Sequence, residues 1–403
     1  MRDSYGRLVS FLAARSRDVA SAEDALGEAL VAALRAWPLD GIPERPEGWL
    51  LTVARRRLID HARHDRVRAD GAVTLRLAVE RAEEAAMQPE FPDDRLKLLF
   101  VCAHPAIDPA AHTPLMLQVV LGLDAGRIAR AFLVSPATMS QRLVRAKIRI
   151  RDTGMAFAVP GAAELSSRLD AVLQAVYAAY GTSWDDVAGA DARLRGPAEE
   201  AVWLARVLVR LLPSEPEAHG LLALLLHCEA RRPARRGPGG EYVPLSEQNV
   251  TRWSRALIDE AERELTVAAA HGTMGRFQLE AAIQSVHAQR AVTGRTEWSA
   301  LAMFYEALVR CNPTLGALVG HAAALAAARG AAEGLAALDA IDASSVARYQ
   351  PYWAVRAHLL AKTGADATEA YMRAIALSED DAVRAFLAGR AGAAAERPGA
   401  PAT

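Results

Sequence analysis

The densest run of groups able to do chemistry is Gly122 to Arg151, GLDAGRIARAFLVSPATMSQRLVRAKIRIR. Seven Lys/Arg (127, 130, 142, 145, 147, 149, 151) stand there against one acid, Asp124, a balance of +6. Guanidinium and amide side chains at helical spacing are the groups that read base edges and hold phosphates. The element that must present them is a helix, for which Ser135 can act as N-cap with Pro136 at the first helical position. Met139, Leu143, Ala146 and Ile150 then recur as an apolar stripe, while Thr138, Gln141, Arg142, Arg145 and Arg149 fall on other faces. A short helix ahead of it carries Ile128, Ala129 and Phe132 as its packing face, and Leu133-Val134-Ser135 makes the turn. A helix-turn-helix whose second helix buries one side and offers Gln and Arg on the other suits a major groove. The same spacing describes the solvated face of an ordinary helical protein, so a second signal has to decide.

That signal lies upstream. PEGWLLTVARRRLIDHARHDR, 46–66, repeats apolar residues at Trp49, Leu50, Val53, Ala54, Leu58, Ile59 and Ala62, and carries Arg55, Arg56, Arg57, Arg63 and Arg66. Before it, SAEDALGEALVAALRAW runs from Ser21 to Trp37. Ser21 and Asp24 have capping-box spacing, and Leu26, Leu30, Leu34 and Trp37 are the expected buried stripe.

In that order, Ala22-Glu23-Asp24 with Glu28-Ala29, then Gly48-Trp49-Leu50, Ala54, Arg56, Ile59-Asp60 and Arg63, resemble region 2 of extracytoplasmic-function sigma factors, a sigma-70-type group. The pattern IA-x-x-F-x-V-S-x-x-T-x-x-x-RL-x-RA-K resembles their region 4 and follows at the expected distance. Beyond residue 160, stretches such as AVWLARVLVRLLPSEPEAHGLLALLLHCEARRPAR and TEWSALAMFYEALVRCNP resemble the C-terminal extension of one subgroup, helical and similar to tetratricopeptide repeats. In ADATEAYMRAIALSED, 365–380, Ala370, Tyr371, Ala374 and Leu377 are the packing positions of one such repeat helix, which needs stacked neighbours to bury its face. Gly27, where the family usually carries Gln, and Arg127, where it usually carries Glu, depart from the pattern.

The resemblance implies an all-α protein that brings core RNA polymerase to promoter DNA and initiates transcription. Region 4 would place Pro136–Arg149 in the −35 groove. Thr138, Gln141, Arg142 and Arg145 would contact bases or phosphates, the two arginines most strongly, and Lys147 and Arg149 would hold phosphates. Region 2 would open the −10 element, with Trp49, Arg55, Arg56 and Arg63 on the DNA side. Asp24 and Glu28 would face polymerase. The extension would regulate activity through a protein or small-ligand partner.

Composition agrees with a helical reading: 403 residues, 52% hydrophobic but only 6% aromatic. Residues 1–151 hold 23 Lys/Arg against 19 Asp/Glu, net +4, which leaves 24 against 29, net −5, for the rest. A basic front suits DNA and an acidic back suits a protein. Three scattered cysteines and no signal peptide point to the cytoplasm, and no apolar run is long enough for a membrane span. No phosphate loop, catalytic triad or metal set is recognisable, so no enzyme activity, cofactor or metal is expected. The expected organisation is 1–65 (region 2), 66–92 (linker), 93–160 (region 4), 161–390 (extension) and 391–403 (disordered tail), with 231–248 an exposed loop. Two readings from other classes stay open: a polymerase-independent helix-turn-helix regulator, and a repeat-based interaction module whose front half is vestigial.

Overall fold

A computed structural model describes residues 2–66, 94–120, 122–132, 134–185 and 195–395. The expected linker falls outside the described residues except for Arg66. Among the described residues there is no strand, only an isolated bridge between Arg236 and Tyr242, and the architecture is all-α. The chain divides into two compact units, residues 1–184 with 193–207, and 185–192 with 208–403.

The first unit begins with α1 (Arg2–Ser16), α2 (Val19–Asp40) and α3 (Pro46–Arg66). The Ser21/Asp24 capping box does not form. Asp18 caps α2 one turn earlier, its Oδ1 accepting from the N–H groups of Ala20 at 3.0 Å and Ser21 at 3.3 Å. The helix therefore turns Ala22, Ala25, Leu26, Ala29 and Ala33 inward, and Leu34, expected in the core, is 70% exposed. Four small alanines beside Leu26 make up that inward face, and Val31 and Leu34 fall on the opposite one.

Four helices follow: α4 (Arg95–Cys102), α5 (Pro109–Val119), α6 (Ala125–Ala131) and α7 (Pro136–Thr153). They do not stand apart from the first three. α1 packs against α2 and α3, and also against α4 and α5, while α7 meets α2 as well as α5 and α6. Two glycines make this approach feasible. A Cβ on Gly6 would lie 1.8 Å from the Val120 carbonyl oxygen, and Gly122, at φ +65°, would place one 2.9 Å from the Tyr5 ring.

The unit does not close at residue 160. α8 (Ala162–Asp185) buries Leu169, Val172, Leu173 and Val176. Its buried Arg168 donates to the Phe100 carbonyl at 3.4 Å and to Glu164 Oε2 at 2.6 Å. From α9 (Arg195–Leu211), the Trp203 ring lies 3.9 Å under the Arg95 guanidinium. By compactness, α8 and α9 as far as Val207 group with the first unit, where Arg168 and Trp203 find their partners.

In the second unit α10 (Pro216–Arg231) buries Leu221 through Leu226 on every side, packed by α11 (Arg255–Ala269) and α12 (Arg276–Ala288). The short α13 (Arg290–Thr293) leads to α14 (Trp298–Cys311), α15 (Leu315–Arg329), α16 (Ala331–Asp339), the short α17 (Ala343–Val346), α18 (Gln350–Thr363), α19 (Thr368–Ala376) and α20 (Asp381–Ala395). From α14 onward the longer helices pack mainly on their sequence neighbours and share apolar clusters in series, the last of them built on Ala370, Tyr371, Ala374 and Leu387. The stretch 231–248 is anchored rather than simply exposed. Arg231 is buried in α10, Arg236 pairs with Asp380, Glu247 pairs with Arg390, and Tyr242 meets Phe386 edge-on at 5.4 Å. α20 continues to Ala395, into the stretch expected to be a tail.

Candidate nucleic-acid interface

The basic helix α7 forms where the sequence places it. Ser135 Oγ accepts from the Thr138 N–H at 3.1 Å, Pro136 holds the first helical position, and Gly154, at φ +59°, ends the helix. Met139, Leu143, Ala146 and Ile150 are buried. Thr138, Gln141, Arg145 and Arg149 are exposed, and Arg142 is half-buried.

A groove of about 400 Å³ runs between this face and the turn leading into α5, with Ile107, Asp108 and Ala111 on its far wall. Arg142 Nη1 donates across it to the Ala110 carbonyl at 3.4 Å, and Arg149 Nε donates to the Ala106 carbonyl at 3.2 Å. These long, exposed bonds to carbonyls orient both arginines without neutralising them. Both keep further N–H groups for phosphate or base oxygens. Arg145 has no hydrogen-bonding partner among the described residues.

Lys147 departs from expectation. Its Nζ lies 2.6 Å from Glu23 Oε2 on α2, with the side chains only 15% and 13% exposed, so it does not present a cation to solvent with its neighbours. The register explains this: Lys147 follows Leu143 by four residues and precedes Ile150 by three, which puts it at the edge of the buried stripe. Tyr5 Oη donates to Glu23 Oε1 at 3.5 Å. Burial raises the Glu23 carboxyl pKa against the opposing pull of Lys147, and burial followed by Glu23 raises that of the Tyr5 phenol. Beneath them the Cys102 thiol is also raised by burial.

On α3, Trp49 is half-buried and packs edge-on against Trp37, with ring centroids 5.6 Å apart. Arg55 is half-buried, Arg56 is exposed, and Arg57 pairs with Glu28 at 3.1 Å. Arg63 lies on the helix, but its side chain is outside the described residues. On α2, Asp24 is exposed and Glu28 is half-exposed on the outer face, and Val31 and Leu34 continue that face at helical spacing. Leu39 and Ile42 beyond it are 86% and 73% exposed. This acidic and apolar surface escaped the sequence reading, which gave Leu34 to the core. The run of alanines at 22, 25, 29 and 33 was the available signal of the true inward face.

The fold assigns the chain to the all-α class. Residues 1–68, which span α1 to α3, match the family model Sigma-70 region 2, and residues 168–269 match a family of unknown function, DUF6596. An uncharacterised protein of Rhizobium meliloti (strain 1021) is 34% identical over 378 residues, covering 92% of this chain and 89% of that protein. The chain belongs to one family with that protein, and its first 68 residues are similar to region 2 of sigma-70 factors. No solved structure matches. Among the described residues no helix is long and apolar enough to cross a membrane, and no three His, Cys, Asp or Glu residues form a group that could hold a metal ion.

Proposed function

We propose that the chain is a sigma factor of the extracytoplasmic-function type, with α7 as the −35 reader, α3 facing the −10 element and the outer face of α2 docking core RNA polymerase. The observation that carries this reading is the α2 face, inside the region 2 match. Asp24 and Glu28 lie beside solvent-exposed Val31 and Leu34 on a helix already packed by α1 and α3. Exposed apolar residues rimmed by charge mark a protein-docking surface. α7 supplies the second half: Thr138, Gln141, Arg142, Arg145 and Arg149 border one groove on a rigid helix, and guanidinium groups there suit guanine edges and phosphates. Lys147 is left out of the DNA face in this arrangement. The unit that begins at residue 208 is the regulatory extension, its successive helices offering a surface to a protein or small ligand.

The test is in vitro transcription with purified core polymerase on the promoter of this protein's own gene and of its neighbours. Specific initiation is the expected result, and absence of core binding overturns the reading. Salt-sensitive duplex binding with no core binding would establish a polymerase-independent regulator instead. A chain ending at Pro213 tests the extension, since a cut at Pro160 would strip Arg168 from Phe100 and Trp203 from Arg95. Unchanged transcription by that shorter chain would remove the regulatory role.

A further inference from the structure

In the second unit, a positive charge is buried at the end of α10 without a counter-charge. Arg231 is 6% exposed; its Nη2 donates to Gln284 Oε1 on α12, and Cys228 Sγ lies 4.0 Å away. Its Nη1 is withdrawn from solvent and has no hydrogen-bond partner among the described residues. One turn earlier on the same face, His227 is 1% exposed, and neither of its ring nitrogens has a hydrogen-bond partner. Two more guanidiniums stand close, since Arg235 acts with Arg231 on the Cys228 thiol and Arg290 of α13 acts with it on His287. Arg290 is held in place, donating to the Ser246 and Gln248 carbonyls at 2.7 and 2.8 Å. Cys228, Gln284, His287 and Arg290 are only half-buried, so the cluster lies close to solvent.

The neighbouring carboxylates among the described residues are already engaged. Glu229 holds Arg232 at 2.5 Å and Glu280 holds Arg276 at 2.7 Å. Glu262 accepts from Ser285 Oγ at 2.6 Å and stands 3.6 Å from His227. Burial and then Arg231 keep His227 and His287 neutral, so neither imidazole is offered enough negative charge to offset the guanidinium. A charge taken out of water and left without an opposite one is costly, and a site that needed only packing is better filled by an apolar side chain. What the cluster lacks is an anion. A guanidinium pairs in its own plane with carboxylate or phosphate oxygens, which suits it to that role.

We propose that Arg231 is the anchor of a small-anion site at the end of α10, which takes the carboxylate or phosphate group of a small molecule on Arg231 Nη1, with Arg290 adding positive charge at its edge and Gln284 turning aside to admit it. The inference deepens the reading above by giving the extension a class of ligand, and rests on that reading only for what the ligand would regulate. Arg231 spans α10 and α12, so an anion drawn to it acts on the packing of both helices.

The experiment is isothermal titration calorimetry of the full chain with inorganic phosphate and, separately, with acetate, each against chloride at equal ionic strength. Saturable binding of one anion per chain is expected, and whichever probe binds more tightly assigns the phosphate or the carboxylate class. Arg231→Met should weaken that binding at least about tenfold, the loss of a charge-assisted contact. Weak phosphate binding by the basic face of α7 is common to both chains and cancels in the comparison. Gln284→Glu supplies a carboxylate where Arg231 Nη2 already donates, so it should raise the melting temperature in anion-free buffer and likewise weaken anion binding at least about tenfold. If Arg231→Met fails to keep its helix content by circular dichroism, Gln284→Glu, which retains the shape of the site, decides the matter. The proposal is overturned if neither anion binds better than chloride, or if a folded Arg231→Met or Gln284→Glu chain binds as the parent does. Polymerase and DNA are absent from these titrations, so failure here leaves the sigma-factor reading standing, and a chain that binds anion yet never binds core would refute that reading alone.

Discussion

Gly6→Ala tests the packing of the first unit at its tightest point. The added methyl would lie 1.8 Å from the Val120 oxygen and 2.8 Å from its carbonyl carbon, both backbone atoms at the end of α5. Backbone cannot rotate away as a side chain can, so α1 and α5 must separate. Overpacking of this kind costs about 1–3 kcal/mol or more. Helix propensity works the other way, since Ala in place of Gly inside α1 gains about 1 kcal/mol. A backbone contact as short as 1.8 Å belongs in the upper part of that range, about 2–3 kcal/mol, so the clash should win by about 1–2 kcal/mol and lower the melting temperature of a unit this size by roughly 2–8 °C. Gly27→Ala is the matched control. It also lies mid-helix, but nothing stands within 4 Å of its added methyl, so it should stabilise by up to about 1 kcal/mol. Urea titrations followed by helix signal, with the three chains compared side by side, decide the matter. If Gly6→Ala matched or exceeded the parent in stability, the close approach of α1 to Val120 would be refuted.

Three further outcomes follow from named contacts. Arg145→Ala should weaken promoter-duplex binding by about 1–3 kcal/mol and relax preference at one base pair, whereas Arg149→Ala should weaken all sequences alike and reduce the salt slope by about one; anisotropy titrations at several salt concentrations separate the two. Leu34→Asp removes an exposed apolar residue, so stability should stay within about 0.5 kcal/mol of the parent while affinity for core polymerase falls at least about tenfold. His227 and His287 are held neutral, each depressed to about 3 from the usual 6.5, by burial and then by Arg231, with Arg290 also acting on His287. The unfolded chain takes up their protons first, so stability is full above about pH 6.5. It falls as pH drops toward 3, by up to about 1.4 kcal/mol per pH unit for each imidazole. Urea midpoints between pH 8 and 5 should show this decline, and His227→Leu should about halve its slope, leaving the part due to His287.

The sequence was most legible where one helix carried its own start signal and its own buried stripe. Ser135-Pro136 with Met139, Leu143, Ala146 and Ile150 is a complete local instruction, and α7 follows it from cap to end. Ala370, Tyr371 and Ala374 likewise turn inward on α19. The reading failed where small residues carried the packing. Four alanines and Leu26 define the inward side of α2, whereas hydrophobic periodicity carried the stripe on from Leu26 to Leu34, which is 70% exposed. At Val159-Pro160-Gly161 the local chemistry signals a break in helix but says nothing of what the next helix packs against. Nothing local announces that Arg168 will find the Phe100 carbonyl or that Trp203 will lie under Arg95.

What the sequence by itself determined is the all-helical class, the caps and stripes of individual helices, and the residues that resemble a sigma factor. All of these depend on neighbours within a turn or two, where spacing is already geometry. Only the tertiary structure decided which basic residues face outward. Lys147 and Arg145 are the same kind of charge two positions apart, but a helix turns about 200° between them. One cation is carried into an ion pair with Glu23, over a hundred residues earlier in the chain, while the other stays in solvent. Pairing of that kind depends on where α2 comes to rest against α7, which no signal within either helix announces.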